Sequence, residues 1–425
     1  MGRADPPIRL EMPALGYVVG YLLVSHAAVT TSSVGVTAAV APAPAPSAPS
    51  PWSLLRPYGT LKPTVIGAVG AVESYSQPNA SAVTAAANPA LAAMPEESRL
   101  TFQAAQSRFG LMINEGGEVR GQLELDAIDF SKAGPTVASL PRLRIAKAEW
   151  APDAAVTLSA GQDWDLHAPI NPHGSNLVGA RFLSGNSGFM RQQVKLHLRP
   201  EAFEFSAAIG MPSANLSNKD GGVELAFIPT GAVRVAWIGV TGLRLGASAI
   251  ATRLRLSPGP NEARLWASAV AVYGEWSQGA TNLRFEAYYG QNAANLGLLT
   301  LGFGRPGQNL REVGGFVSAR QGFMELHFVY FNLGGAWATA PDEVRPSYAY
   351  ANEAATTGTL SGTGPGIRNN LGLVLGYELR LHNNLAFQLE GFGVRTRHSL
   401  QAIDRGRYSS LASAIGGEVA MLVTF

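Results

Sequence analysis

Two aspartates and two histidines lie close together in the sequence and carry side chains that can catalyse reactions or bind metal ions. Asp163, Asp165, His167 and His173 form the pattern D-x-D-x-H-x5-H within the segment GQDWDLHAPINPH. This spacing matches neither a common zinc site nor a recognisable acid–base pair. The pattern therefore favours the ordinary polarity of a loop over a metal or catalytic site.

Serine and histidine can form a hydrolase site on a strand, where H-x-S spacing places both side chains on one face. The chain has one such spacing, His173-Gly174-Ser175, but it falls in a segment rich in Gly and Asn. His398 and Ser399 are adjacent, so on a strand they point to opposite faces. We predict no catalytic set and no enzyme, although a lipid-hydrolysing barrel remains an alternative.

The composition excludes further chemistry. The 425 residues include no Cys, which excludes disulfides, thiolate metal sites and cysteine nucleophiles. Lys and Arg number 32 against 30 Asp and Glu, and this near balance gives no reason to expect a nucleic-acid partner. A hydrophobic content of 46% argues against wholesale disorder.

The N-terminal region has the character of an export signal. From Met12 to about Ala41 the chain is mainly apolar and ends in small residues, so we interpret residues 1–41 as a signal-like targeting segment. The alternative, a single anchoring helix, lacks an apolar core of ~18 residues uninterrupted by Gly, Ser and His. The segment APAPAPSAPSP, residues 41–51, favours extended polyproline II, so we interpret residues 42–57 as an Ala/Pro-rich spacer.

Residues 58–425 are dominated by alternation of apolar and polar side chains. In LGLVLGYELRLH, Leu371, Leu373 and Leu375 share one face, while Glu378 and Arg380 lie on the other. A helix of period 3.6 would scatter these residues around its circumference, so the segments are strands. Two architectures fit: a soluble β-sandwich that buries the apolar face, or a membrane barrel that turns this face to lipid.

The connections between the strands favour the barrel. Tight turns, such as Thr241-Gly242, alternate with long segments rich in Gly, Ser, Asn and Pro, such as residues 171–190. A bacterial barrel has short turns at one rim and long loops at the other. The pattern predicts an all-β fold, a closed antiparallel transmembrane β-barrel of sixteen strands, with 14 to 18 as the range. The predicted strands begin near Gly59, Arg99, Glu118, Arg142, Val156, Arg191, Phe203, Ala232, Arg244, Leu265, Leu283, Glu312, Met324, Arg368, Asn384 and Ala414.

An ordered series of blocks resembles one family. They are RPYGTLKPTV, QSRFGLMIN, RGQLELDAIDF, PRLRIAKAEW, LSAGQDWDLHAPINP and SGNSGFMRQQVKL, and the alternating final strand ends in Phe425. In this order they resemble strands one to six of the trimeric general porins of Gram-negative outer membranes, in particular the dicarboxylate-type porin-like branch. The likeness is densest before Gly221 and rests on the order of the blocks.

The resemblance implies that the segment from about His167 to Met190 folds inward as a constriction loop. It also implies charged walls around this constriction, where a transverse field would orient anionic or dipolar solutes. The basic wall would comprise Arg108, Arg142, Arg144, Arg191 and Lys195. The opposing acidic wall would comprise Glu124, Asp126, Asp163 and Asp165. For every one of these residues the alternative is simple cross-strand pairing within the barrel wall.

The sequence therefore predicts an outer-membrane porin that lets small hydrophilic solutes diffuse passively, with a possible anion preference. Such a pore needs no cofactor and no metal. Its expected partners are outer-membrane lipid, its solutes and, by resemblance, two further copies in a homotrimer. The alternatives are a structural or adhesive barrel with a blocked lumen, or the lipid hydrolase.

Overall fold

The computed structural model describes residues 54–70, 98–127, 141–175, 184–188, 190–211, 219–220, 223–224, 229–255, 264–298, 300–305, 308–345, 366–399 and 411–425. The predicted targeting segment and all but the last four residues of the predicted spacer lie outside these ranges. The first strand begins at Leu55, three residues before the predicted start of the barrel.

Sixteen antiparallel strands form one closed sheet in these ranges, as the sequence predicts. The first two strands are each interrupted once, so that each consists of two segments. The strands are β1 (Leu55–Leu61 and Thr64–Gly70), β2 (Ser98–Gln103 and Arg108–Ile113), β3 (Val119–Asp126), β4 (Arg142–Trp150), β5 (Val156–Trp164), β6 (Met190–Leu198), β7 (Phe203–Gly210), β8 (Thr230–Val240), β9 (Leu243–Arg255), β10 (Arg264–Gln278), β11 (Thr281–Gln291), β12 (Arg311–Phe323), β13 (His327–Ala338), β14 (Ile367–His382), β15 (Leu385–His398) and β16 (Leu411–Thr424).

The last strand pairs with the first and closes the sheet. Thr64–Gly70 of β1 pairs with β16 from Ala420 to Ala414, and the other segment of β1 continues the contact at Thr60 and Thr424. At the C-terminus, the Gly59 N–H donates to the Phe425 carbonyl (3.0 Å), and the Phe425 N–H donates to the Gly59 carbonyl (3.2 Å). Neither strand therefore leaves an open edge, which hydrocarbon would not tolerate.

The interruption of β1 falls at Lys62 and Pro63. Proline has no N–H to donate to the ladder, so a regular strand cannot continue through it. The Lys62 side chain turns inward and is fully buried, and its Nζ lies 2.5 Å from Glu418 Oε1 and 2.7 Å from Gln106 Oε1. The Ser107 hydroxyl accepts the Lys62 N–H at 3.0 Å, so the interruption in β2 complements the one in β1.

The two faces of the sheet differ as the alternation predicts. Leu371 on β14 is 42% exposed, whereas its neighbour Asn370 is fully buried, and Leu373 and Leu375 are exposed in the same way. A continuous exposed band of Leu, Val, Phe and Trp cannot be stable in water, so this face requires lipid. The barrel is therefore of the membrane-spanning type.

The inward face is only partly polar. Ile250, Ala267 and Ala269 point inward, are almost completely buried, and pack against Leu166 and Leu296 of two connecting segments. A second apolar cluster on the inner wall includes Val374 and Phe392. Apolar side chains thus line the inner wall where other parts of the chain cover it.

The connections divide into two classes, as predicted. The short ones (114–118, 151–155, 199–202, 241–242, 279–280, 324–326 and 383–384) all lie at one end of the barrel, which we call the tight-turn rim. The connections at the other end are longer and include two short 3-10 helices, Ala293–Leu296 and Pro341–Glu343. None of the described helices is long and apolar enough to cross a membrane.

Replacing Leu373 with Arg is expected to destabilise the barrel. The substitution places a charge on the lipid-facing side near the middle of β14, which costs ~2–4 kcal/mol of unfolding free energy at the bilayer midplane. The matched variant, Leu326→Arg in a tight turn, should cost no more than ~1 kcal/mol because it lies at the interface. Urea unfolding in liposomes measures both, and equal costs would contradict the outward orientation of Leu373.

Candidate functional site

Four charged side chains form a compact ion-pair cluster on the inner wall of β3 and β4. Arg142 binds Asp126 in a bidentate manner, with Nε–Oδ1 and Nη2–Oδ2 distances of 2.9 and 2.6 Å. Arg144 donates to Glu124 Oε1 at 2.6 Å and to Asp126 Oδ2 at 3.1 Å. Such charge-assisted pairs are strong and fix the planes of both guanidinium groups. We call these four residues the arginine–carboxylate cluster.

The register of β3 and β4 explains this cluster. Asp126 lies opposite Arg142, and the pairing then skips Arg144, because Glu124 lies opposite Ile145. This β-bulge places an extra residue in β4 and reverses the alternation beyond it. Arg142 and Arg144 therefore point inward before the bulge, and Lys147 points inward after it.

Lys147 and Lys195 share one carboxylate. Lys147 Nζ lies 3.2 Å from Asp163 Oδ2, and Lys195 Nζ also pairs with this oxygen. Lys147 additionally contacts Glu149 at 2.9 Å, and Glu149 pairs with Arg120. Strict alternation would have turned Lys147 outward, so the sequence pattern did not identify it as a site residue.

Arg191 and Asp165 form a pair that is buried away from solvent. The Nε–Oδ1 distance is 2.7 Å, and Arg191 also donates to the carbonyl oxygens of Met211 and Leu296, each at 2.5 Å. Burial raises the pKa of Asp165, while Arg191 opposes that shift. Arg191 therefore connects β6 to three other parts of the chain, at Asp165, Met211 and Leu296.

Arg108 lies at the edge of the arginine–carboxylate cluster. It is directly opposite Asp126 in the pairing of β2 with β3 and opposite Thr60 in the pairing with β1. Its Nε and Nη2 atoms are buried and have no hydrogen-bond partner among the described residues. Buried polar atoms of this kind are unusual, because desolvation is costly unless a partner or solvent compensates for it.

Residues from the segment after β5 contact the inner wall on the far side of the barrel. The His173 N–H donates to Ser318 Oγ on β12 at 2.9 Å, and Asn332 on β13 donates to the His173 carbonyl. The Ser175 N–H donates to Glu390 Oε2 at 2.8 Å, and the Ser175 hydroxyl contacts Glu418. The segment is thus hydrogen-bonded to strands that are distant from β5 and β6 in the strand order.

Two further contacts extend this attachment. Asn370 on β14 donates to Ser184 Oγ at 2.6 Å. Gly185 has a φ of 107° and lies so close to Gly315 that a Cβ would collide with the Gly315 carbonyl oxygen. Only glycine adopts this conformation readily and allows such an approach.

His167 is fully buried, His173 is partly buried, and both are neutral near pH 7. Burial, together with the nearby Arg191, lowers the pKa of His167 to about 3, and its Nε2 lies 3.2 Å from Ser187 Oγ. Burial and the charges of Arg284 and Arg320 lower the pKa of His173 to about 3. Within the described ranges, no three acidic or histidine side chains are grouped closely enough to hold a metal ion.

The structure brings the predicted acidic and basic residues together, but in a different arrangement from the expected one. The sequence placed acidic residues opposite basic ones across a pore. Instead, each acidic residue pairs with a cation on the same or a neighbouring part of the wall, because β3 to β6 are consecutive in the sheet. The predicted residues all lie on β2 to β6 or directly after β5: Arg108, Glu124, Asp126, Arg142, Arg144, Asp163, Asp165, Arg191 and Lys195.

Solved outer-membrane channels share this architecture at low sequence identity. The outer membrane channel DcaP of Acinetobacter baumannii matches with a TM-score of 0.62 and 11% identity, covering 87% of this chain and 97% of that chain. The anion-selective porin from Comamonas acidovorans matches with a TM-score of 0.52 and 13% identity, covering 87% and 99%. OprB of Pseudomonas putida matches with a TM-score of 0.51 and 11% identity, covering 87% and 94%.

No protein-family model and no curated protein sequence matches the chain. At these low identities the likeness to solved structures concerns the fold. The chain has the fold of a porin, and its inner wall carries the ion-pair clusters described above.

The buried His167 predicts a stability that falls in acid. Its pKa is about 3 in the folded protein and ~6.5 in an unfolded chain, so the unfolded state binds more protons between these values. The contribution of neutral His167 to the free energy of unfolding is complete above pH ~6.5. It is lost as the pH falls below this value, by up to ~1.4 kcal/mol per pH unit.

Urea unfolding at pH 7 and pH 4.5 measures this effect. The matched variant His167→Gln keeps a polar group near Ser187 but does not titrate. The wild type should lose ~2 kcal/mol more than this variant between the two pH values. Equal losses would show that the His167 ring is solvated in the folded protein.

Proposed function

We propose that this chain is a porin of the bacterial outer membrane that allows passive diffusion of small hydrophilic solutes and favours anions. The observation that carries the anion preference is the unequal exposure of paired charges on the inner wall. The Asp126 side chain is completely buried, whereas that of Arg142 is 21% exposed. At the Arg142–Asp126 pair, a solute that passes this wall therefore meets the guanidinium group before the carboxylate.

Basic side chains also outnumber acidic ones in the two groups of charges described here, which agrees with a preference for anions. Asp163 is shared by Lys147 and Lys195, and both lysine side chains are more exposed than the carboxylate. Arg108, Arg142 and Arg144 surround two carboxylates, Glu124 and Asp126. Lumen charges of one sign attract counter-ions and set the selectivity of a channel.

The segment after β5 is the proposed constriction. Its hydrogen bonds to Ser318, Asn332 and Asn370 join two opposite parts of the wall, so this segment would narrow an aqueous bore between them. The arginine–carboxylate cluster and the lysine pair are then the charged groups of the β3 to β6 side. A homotrimer belongs to this proposal and is supported by the resemblance to trimeric porins.

The contacts of Ser175 and Ser399 weigh against the hydrolase alternative. Ser175 is fully buried and contacts Glu418, whereas the His173 carbonyl is bound by Asn332. Ser399 donates to the Val344 carbonyl at 2.9 Å. A nucleophilic serine needs a base within reach and an accessible position, so the proposal includes the absence of enzymatic activity.

Replacing Arg142 and Arg144 with Ala should reduce the permeability of anions relative to cations, because Glu124 and Asp126 would remain without these partners. The measurement is the reversal potential of planar bilayers in a salt gradient. The reciprocal pair, Glu124→Gln with Asp126→Asn, should shift the potential in the opposite direction. Unchanged potentials in both variants would contradict the assignment of these residues to the pore wall.

Replacing Asn332 and Asn370 with Ala should increase the single-channel conductance, because the proposed constriction would lose two of its attachments to the wall. Ser248→Ala, on an inward position of β9, is the matched control and should leave the conductance unchanged. If the wild type leaves bilayers closed, the alternative of a structural or adhesive barrel with a blocked lumen is correct.

A further inference from the structure

A second basic cluster lies on the inner wall of β12, β13 and β14, near the tight-turn rim. Arg320, Phe328 and Arg380 lie within a few residues of the turns 324–326 and 383–384. Arg320 Cζ lies 4.1 Å and Arg380 Cζ 4.6 Å from the centroid of the Phe328 ring. We call Arg320, Phe328, Glu378 and Arg380 the rim cluster.

The local structure holds the Phe328 ring against the wall. Phe328 lies directly opposite Gly322 on β12 and Glu378 on β14. A Cβ at Gly322 would collide with the ring, so glycine at this position makes room for it. The ring in turn supports two guanidinium groups, which favour stacking on aromatic faces.

The two arginines share one carboxylate. Arg320 Nη2 and Arg380 Nε lie 2.8 and 2.5 Å from the same oxygen, Glu378 Oε1. Gln388 Nε2 donates to the other oxygen, Oε2, at 2.9 Å. The carboxylate is therefore engaged on both oxygens and is shared between two cations.

The exposure of the three charged groups is unequal. The side chains of Arg320 and Arg380 are 19% and 34% exposed, whereas that of Glu378 is 10% exposed. The excess positive charge therefore faces the lumen, with the acid behind it. Two fixed guanidinium groups side by side match the geometry of an oxyanion, which can accept hydrogen bonds from both.

We propose that the rim cluster is a second anion-binding site, at the tight-turn mouth, that takes the carboxylate or phosphate group of a solute. The site lies on β12 to β14, away from the charged groups of β3 to β6. The inference rests on the proposed pore function for its role, since a solute reaches this site from the lumen. Binding of the oxyanion itself depends only on the folded barrel.

Direct binding to the folded protein tests the site. Isothermal titration of the protein in detergent micelles with inorganic phosphate, and separately with acetate, compares the wild type with Arg320→Ala/Arg380→Ala. Each hydrogen bond to a charged group is worth about tenfold or more in affinity, so the double variant should bind at least ~10-fold more weakly. A stronger response to phosphate than to acetate would identify the preferred oxyanion.

Four variants separate a defined site from general electrostatics. Arg320→Lys/Arg380→Lys keeps both charges but loses the planar groups, so its affinity should also fall. Phe328→Leu keeps all charges and should weaken binding by a smaller factor. Glu378→Gln removes the competing carboxylate and should strengthen binding. Arg56→Ala, which removes a rim cation paired one to one with Glu115, should have no effect.

Circular dichroism establishes that each variant is folded before titration. Equal phosphate affinity in the wild type and the folded Arg320→Ala/Arg380→Ala variant would overturn the proposal, as would wild-type affinity in the double lysine variant. Bilayer conductance separates this inference from the pore. If the barrel binds phosphate at the rim cluster but carries no current, the pore function alone is refuted. If the barrel conducts but the Arg320→Ala/Arg380→Ala variant keeps its phosphate affinity, the anion site alone is refuted.

Discussion

The structure depends on one constraint: in hydrocarbon, every backbone N–H and C=O group must find its partner within the protein. The sheet meets this constraint by closing, with β1 paired to β16 and the C-terminal Phe425 paired to Gly59. Pro63 breaks the first strand, but the break faces inward and is filled by Lys62, whose charge Glu418 neutralises. This break in the strand is therefore tolerated because other side chains of the protein cover it.

A second constraint operates on the inner wall of the barrel, where burial makes an isolated charge costly. Acidic groups such as Asp126, Asp163 and Glu378 each contact two cations, and at least one of the two cations is more exposed than the carboxylate. Local neutralisation thus stabilises the wall and, in the proposed pore, determines which charge a solute meets. Buried polar groups of the connecting segments are satisfied similarly, by wall side chains such as Ser318 and Asn370. Under the proposed function, structural pairing and solute selection are properties of the same residues.

Much of the fold could be predicted from alternation and turn lengths, because lipid on one face enforces a strict period of two. Leu371, Leu373 and Leu375 point outward, and all sixteen strands appear near their predicted positions. The site was less predictable. The β-bulge at Arg144 reverses the alternation and brings Lys147 inward. No residue type in this part of the sequence predicts the bulge. The pairing of Asp165 with Arg191, and the apolar inner wall at Ile250, arise from contacts between distant segments that sequence periodicity does not encode.

The most direct test of the central claim, a closed barrel with an apolar outer face and a lumen inside, is a nitroxide scan. Because the chain contains no cysteine, single cysteines can be introduced and spin-labelled at successive positions of β14 in liposomes. We expect labels at Leu371, Leu373 and Leu375 to be relaxed by oxygen, which concentrates in lipid, and labels at the buried positions Asn370 and Val374 to be shielded from it. Equal oxygen accessibility along the strand, or the opposite alternation, would contradict the account.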